Sequence, residues 1–230
     1  MSASFPIPAL HRAGHPIIAA VIAVSLLLAY LIPATAWFGG LATAFCLYFF
    51  RDPDRMVPNG DGLMVAPADG RVLSVAEVVP PDELGLGAEP RIRVTIFLSV
   101  FNVHVNRIVA GGTIRKKLYW PGLFLHAAAD KASTDNERLA LVIDLPATGK
   151  DYAQVQIAGF VARRIICDVA EGAAVETGAR YGIIRFGSRA DIYLPVGVNA
   201  LVLAGQTMVG GETIIADWQA QPTQRQGTLR

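Results

Sequence analysis

The sequence is short of the residues that usually carry metal and redox chemistry. Among 230 residues there are two cysteines and four histidines. Two cysteines cannot build a disulfide framework, and Cys46 and Cys167 stand too far apart in sequence to make a paired-cysteine zinc site. There is no H-E-x-x-H pair, no G-x-x-x-x-G-K-[ST] loop and no G-x-G-x-x-G turn, which excludes the commonest zinc-protease and nucleotide-binding signatures. The near-even balance of 20 Lys and Arg against 19 Asp and Glu gives no electrostatic case for nucleic acid. Negative charge is missing altogether from the first 50 residues, where Arg12 is the one formal charge. A hydrophobic share of 53% excludes a charged disordered chain.

What is present begins with that uncharged head. Residues 16–50 carry no formal charge and fall into two apolar blocks, 16–32 (PIIAAVIAVSLLLAYLI) and 36–50 (AWFGGLATAFCLYFF). Pro33-Ala-Thr between them reads as a turn. As helices the blocks would be roughly 26 and 22 Å long, against a hydrocarbon core of about 30 Å. They fit a short membrane hairpin, spanning or only inserted, better than a cleaved signal peptide or a buried core hairpin. Arg12 before the pair, with Arg51 and Arg55 after it, places both ends on the cytoplasmic side of a cell (inner) membrane.

Residues 51–230 read as one β-rich domain. Short β-branched runs broken by Gly, Pro and Asp predict strands at 70–79, 91–98, 139–145, 153–157, 163–169, 181–186, 190–194 and 200–203. Their spacing suggests a sandwich or barrel, so the fold class is mainly β (α+β) with a helical membrane hairpin in front. Residues 80–90 read as a surface loop, 122–134 as the one clear helix of the body, and the last ten residues as a polar tail. AEGAAVETG (170–178) resembles the turn–strand–turn of a small hammerhead-like barrel, as in biotinyl and lipoyl carriers, and GQTMVGGETII (205–215) repeats its flavour. With no lysine after Lys150 a working carrier is excluded.

Taken singly, the candidate functional residues have bland readings. His104 lies in NVHVNR, whose alternation puts His104 and Asn106 on one face of a strand and Val103 and Val105 on the other. That pattern fits a hydrogen-bonded histidine at a strand surface, and His126 beside alanines reads as structural. Asp69 in PADG reads as a turn aspartate, and Gly187-Ser188 as a tight turn with no G-x-S-x-G elbow around it.

Taken together, they match a family. The stretches FRDPDR (50–55), APADGRV (66–72), NVHVNR (102–107), YWPGLFLHAAADKASTDNER (119–138), AGFVARRI (158–165) and RYGIIRFGSRADIYLP (180–195) occur in this order. With the apolar head, they resemble the phosphatidylserine decarboxylases, specifically the short archaeal-type proteins found also in bacteria. The resemblance implies a proenzyme that cuts itself between Gly187 and Ser188, leaving residues 1–187 and 188–230 as a heterodimer, with a higher oligomer also open. It implies that Ser188 becomes a covalent pyruvoyl group, with no metal and no pyridoxal phosphate, and that its ketone takes the amine of phosphatidylserine as a Schiff base. Asp69, His104 and Ser188 then form a candidate triad: His104 takes the serine proton and Asp69 orients the imidazole. Longer family members have a second histidine three residues on, where this chain has Arg107, so the base for self-cleavage stays open. Arg107, Arg163 and Arg164 are the cations available to the lipid headgroup. Two readings compete with this one. A membrane-anchored serine hydrolase would use Ser188 and His104 without cutting itself, and a membrane-anchored β-barrel adaptor would have no chemistry.

Overall fold

The computed structural model describes residues 8–122, 136–145, 148–159, 164–185 and 188–219. The helix expected at 122–134 and the polar tail lie almost wholly outside the described residues. The chain divides into two units, Met1–Asp54 and Arg55–Arg230.

The first unit is a helical hairpin, α1 (His15–Leu31) and α2 (Ala36–Phe49), joined by a tight turn at Pro33–Thr35. Strands β1 (Ala9–Leu10) and β2 (Arg51–Asp52) pair antiparallel, so the two ends of the hairpin meet. The helices approach closely at small residues: a Cβ on Gly39 would lie 2.6 Å from the Cβ of Ser25. The outer surface is apolar, with Leu26, Leu31, Trp37, Phe38 and Leu41 exposed. The helical run Arg12–Leu31 is 20 residues with a mean hydropathy of 2.1 and is long and apolar enough to cross a membrane. α2, at 14 residues, rises only about 21 Å.

The second unit is built on an eight-stranded antiparallel sheet. In chain order its strands are β4 (Gly70–Val78), β5 (Arg91–Leu98), β7 (Gly112–Trp120), β8 (Arg138–Asp144), β9 (Asp151–Ala158), β11 (Ala174–Val175), β13 (Ser188–Tyr193) and β14 (Thr207–Met208). They are arranged in space as β11-β7-β8-β9-β13-β5-β4-β14. One face is covered by two smaller sheets, β3 (Leu63–Val65) with β15 (Ile214–Asp217), and β6 (Val105–Arg107) with β12 (Arg180–Ile184) and β10 (Ile165–Cys167). The main core lies between them: Ile96, Leu141 and Ile192 of the large sheet pack in one cluster with Met64, Ile108, Ile184 and Ile215. On the other face the 80–90 loop lays Leu84 and Leu86 over Ala140, Val155 and Tyr193. The mainly β expectation holds.

The unit is two structural repeats, one inserted in the other. β3, β4, β5, β13, β14 and β15 form one; β6, β7, β8, β9, β11 and β12 form the other. Each begins with a short strand paired through a bulge, at Ile214/Ala216 in one and Arg180/Gly182 in the other. In each, a positive-φ glycine follows: Gly211 donates to the Ala66 carbonyl and Gly178 to that of Ile108, both at 2.8 Å. Gly70 and Gly112 then open equivalent strands, where a Cβ would fall 2.4 Å from the Phe97 oxygen and 2.3 Å from the Asp144 oxygen. These are backbone clashes, so only glycine fits. The two turn–strand–turn segments singled out in the sequence supply β11 and β14, which cap opposite edges of the sheet. β9 and β13 pair at the centre and relate the repeats as a pseudo-dyad.

Two sequence expectations need correction, and one strand was not expected. Gly112–Trp120 is a strand, although its charged Arg-Lys-Lys run hides the period: Arg115 pairs with Asp144 and Asp151, and Lys117 donates to the Val169 carbonyl at 2.8 Å. Residues 200–203 make only an isolated bridge from Ala200 to Ala216. The strand expected to hold His104 begins only after it, at Val105–Arg107, and has no solvent face, because it lies on the inside of the large sheet. Tyr152 ties the two layers together, its hydroxyl accepting from the Ala110 N–H at 3.0 Å and donating to the Ala110 carbonyl at 2.7 Å. Replacing Tyr152 with phenylalanine strands both groups in the core and is expected to cost about 2 kcal/mol or more, read from urea unfolding.

Candidate active site

The site residues come from three elements: β13, the segment 102–110 and the turn 66–70. Ser188 is the first residue of β13, flanked by Leu98 of β5 and Ala158 of β9. Alternation puts it with Ala190 and Ile192 on the inner face of the sheet. It is fully buried, and its Oγ has no hydrogen-bond partner. A buried hydroxyl left unpaired costs about 1–3 kcal/mol, so this is a position at which an apolar residue would fold better. Gly187, expected as its cleavage partner, lies outside the described residues.

His104 is brought to the same end of the core by backbone pairing. Its carbonyl accepts from the N–H of Ile184 at 3.3 Å. The four residues from Ile184 to Ser188 can span at most about 14 Å, which confines the imidazole and the serine to one neighbourhood. Downstream, the Val109 N–H donates to Gln154 Oε1 and the Ala110 N–H to Tyr152, so the end of the segment lies against β9. His104 is fully buried, with Nδ1 3.0 Å from the Asn102 carbonyl oxygen. A carbonyl only accepts, so the neutral ring carries its proton on Nδ1 and its lone pair on Nε2, the form a general base requires. Asn106 donates from Nδ2 to the His104 carbonyl at 2.7 Å and steadies the segment, while its Oδ1 has no hydrogen-bond partner.

Asp69 is fixed by Arg55, whose Nη2 donates to both carboxylate oxygens at 2.9 Å, and by the Gly210 N–H at 2.9 Å. The Asn102 carbonyl therefore contacts the imidazole, and Asp69 also anchors the 66–70 turn. That turn also touches β6, because the Arg107 N–H donates to the Pro67 carbonyl at 2.7 Å. Arg107 itself is buried, and its Nη1 donates to the Gly178 carbonyl at 3.0 Å. Arg164 is exposed, and its carbonyl accepts from the Arg185 N–H. Burial, and then the charge of Arg164, hold the Arg185 guanidinium below its usual pKa. Two cations therefore come from adjacent backbone, Arg185 on the chain leading to Ser188 and Arg164 just before β10. Arg163 lies outside the described residues.

Sequence reasoning missed Arg55, Asn106, Gln156, Arg185 and Gly210. Arg55 carried a signal, as the last residue of FRDPDR. Gln156 carried none: AQVQI is read only as a strand, and Gln154 and Gln156 are both buried on its inner face. Among the described residues, no group of three or more His, Cys, Asp and Glu is placed to hold a metal ion.

Comparison with known proteins identifies the family. The family described as "Phosphatidylserine decarboxylase" matches residues 42–216. A phosphatidylserine decarboxylase proenzyme of Granulibacter bethesdensis is 57% identical over 207 residues, covering 90% of this chain and 84% of its own. One of Cereibacter sphaeroides is 52% identical over 221 residues, covering 96% and 95%. One of Paramagnetospirillum magneticum is 49% identical over 226 residues, covering 98% and 92%.

Proposed function

This chain belongs to the phosphatidylserine decarboxylase family, and from that premise we propose that it decarboxylates phosphatidylserine to phosphatidylethanolamine after cutting its own backbone between Gly187 and Ser188. The observation that carries the reading is the buried Ser188 hydroxyl, held without a hydrogen bond at the head of a central strand.

The first chemistry is the chain's own. His104 Nε2 takes the proton of Ser188 Oγ, which attacks the Gly187 carbonyl carbon. The C–N bond breaks, the nitrogen recovers the proton, and an ester joins Gly187 to Ser188 Oγ. Loss of the Ser188 Cα proton then expels Gly187 as a carboxylate and leaves dehydroalanine. Water replaces the nitrogen, which departs as ammonia, and residue 188 ends as a pyruvoyl group. The position fits that product: the conversion removes the hydroxyl that is unpaired there and leaves a methyl ketone between Leu98 and Ala158.

The pyruvoyl group supplies an electron sink for the pair left when carbon dioxide departs. The remaining roles fall to side chains. His104 holds the proton for the carbon that lost its carboxylate. Asp69 contributes negative charge at the 66–70 turn, beside the segment that must bear an imidazolium. Arg164 and Arg185, exposed and half-buried, suit the lipid phosphate better than Arg107, whose guanidinium is engaged inside the fold; Arg163, next in sequence, extends the same cationic stretch. The apolar hairpin holds the chain to the bilayer that contains the substrate, with the catalytic unit on the cytoplasmic side of the inner membrane. The active form is then a heterodimer of residues 1–187 and 188–230.

Intact mass spectrometry of active protein tests this. Two chains are expected, the smaller starting at residue 188 and blocked to amino-terminal sequencing. A single full-length species with full decarboxylase activity would sink the proposal.

A further inference from the structure

Gln156 stands out among the buried residues. It lies in β9 on the inner face of the large sheet, fully buried, and neither Nε2 nor Oε1 has a hydrogen-bond partner. Gln154, two residues before it on the same face, spends its Oε1 on the Val109 N–H. Gln156 has no such use in the fold. Its place is set by register: Ser188 pairs with Ala158, and Ala190 with Gln156. Gln156 is therefore the diagonal neighbour of Ser188 on one face, roughly 7–8 Å away and within reach of a long side chain. Ser188 Oγ and Asn106 Oδ1, also buried, have no hydrogen-bond partner either.

An apolar side chain of similar length would fold better here, because an unpaired buried amide is costly. A polar group kept at such a cost calls for a partner that arrives with the ligand. On the decarboxylase reading, the headgroup that reacts at residue 188 carries an α-carboxylate, which can only accept hydrogen bonds. We propose that Gln156 Nε2 donates to that carboxylate and positions it for loss. A neutral donor suits this step better than arginine. It orients the group without the full ion pair that would stabilise the very charge the reaction must remove.

The test is Gln156→Leu, studied in three ways. The variant should cut itself as the parent does, and in an uncut Ser188→Ala background it should melt roughly 2–4 °C higher, since two unpaired polar atoms leave the core. Its kcat/KM for phosphatidylserine should fall roughly 10–100-fold, the usual value of a hydrogen bond to a charged group. Binding to the mature protein of a short-chain phospholipid with a glycerate headgroup, which has the carboxylate but no amine, should weaken by a similar factor. Affinity for phosphatidylethanolamine, which lacks the carboxylate, should not change. Gln156→Asn, with the amide withdrawn by one methylene, should bind the glycerate lipid no better than Gln156→Leu. A lower melting temperature, failed self-cleavage, or equal loss of affinity for both lipids would assign Gln156 a structural or processing role and overturn the proposal. If the parent protein releases no carbon dioxide, the decarboxylase reading itself fails. If the parent is active and Gln156→Leu keeps its kcat/KM, only the role of Gln156 fails.

Discussion

Replacing Ser188 with alanine is expected to leave one uncut chain of 24.5 kDa and to reduce carbon dioxide release from phosphatidylserine to background. The two losses share a cause. Without Oγ there is no nucleophile for the Gly187 carbonyl, and without the cut there is no ketone to hold the electrons of the broken bond. The substitution should not unfold the protein. Ser188 is buried and its hydroxyl is unpaired, so removing it should raise stability by about 1–3 kcal/mol. An inactive, uncut chain that melts above the parent separates a lost reaction from a damaged fold. The serine-hydrolase alternative makes the opposite prediction for the parent, an intact chain that reacts with serine-directed phosphonates. An uncut Ser188→Ala chain that still decarboxylates would refute the mechanism.

The second large effect is expected at His104. General-base assistance is worth roughly 10²–10⁴-fold, so His104→Ala should slow self-cleavage by about that factor, followed as conversion of the full-length chain over hours to days. Chains that do mature should turn over slowly as well, because the same imidazole is assigned the proton for the product carbon. Gel analysis gives the first rate, and carbon dioxide release per mature chain gives the second. Slow cutting with normal turnover would confine His104 to processing. Normal rates in both would remove it from the site. The Asn102 carbonyl sharpens the expectation. It sits 3.0 Å from Nδ1 and presents Nε2 as the basic nitrogen, so His104→Gln, with an amide and no lone-pair nitrogen, should not restore either rate.

Much of the fold was legible because its signals are local. The charge-free head, the glycine-bounded strands and the repeated turn–strand–turn segments all depend on neighbours a few residues apart. β7 was not, since its Arg-Lys-Lys run is neutralised by carboxylates and carbonyls from other parts of the chain. At the site, Ser188 and His104 stood out within motifs, but their environments did not. His104 reads as a strand-surface residue and is fully buried; Gln156, in a run read only as a strand, points into the core. Both have one origin. Period-2 alternation tells which residues share a face, and says nothing about what covers that face.

The sequence by itself therefore determined the apolar head, the β-rich class, the family and the residues to suspect. Each rests on composition or on short motifs in a given order. The tertiary structure alone decided what surrounds the scarce polar residues, with Arg55 across Asp69 and the Asn102 carbonyl against His104. It also decided that Ser188, Asn106 and Gln156 are left with unpaired polar atoms in the core. Those properties arise when the segment after β6 is laid against β9, a strand far from it in the chain, and no local pattern encodes which face a distant segment will cover.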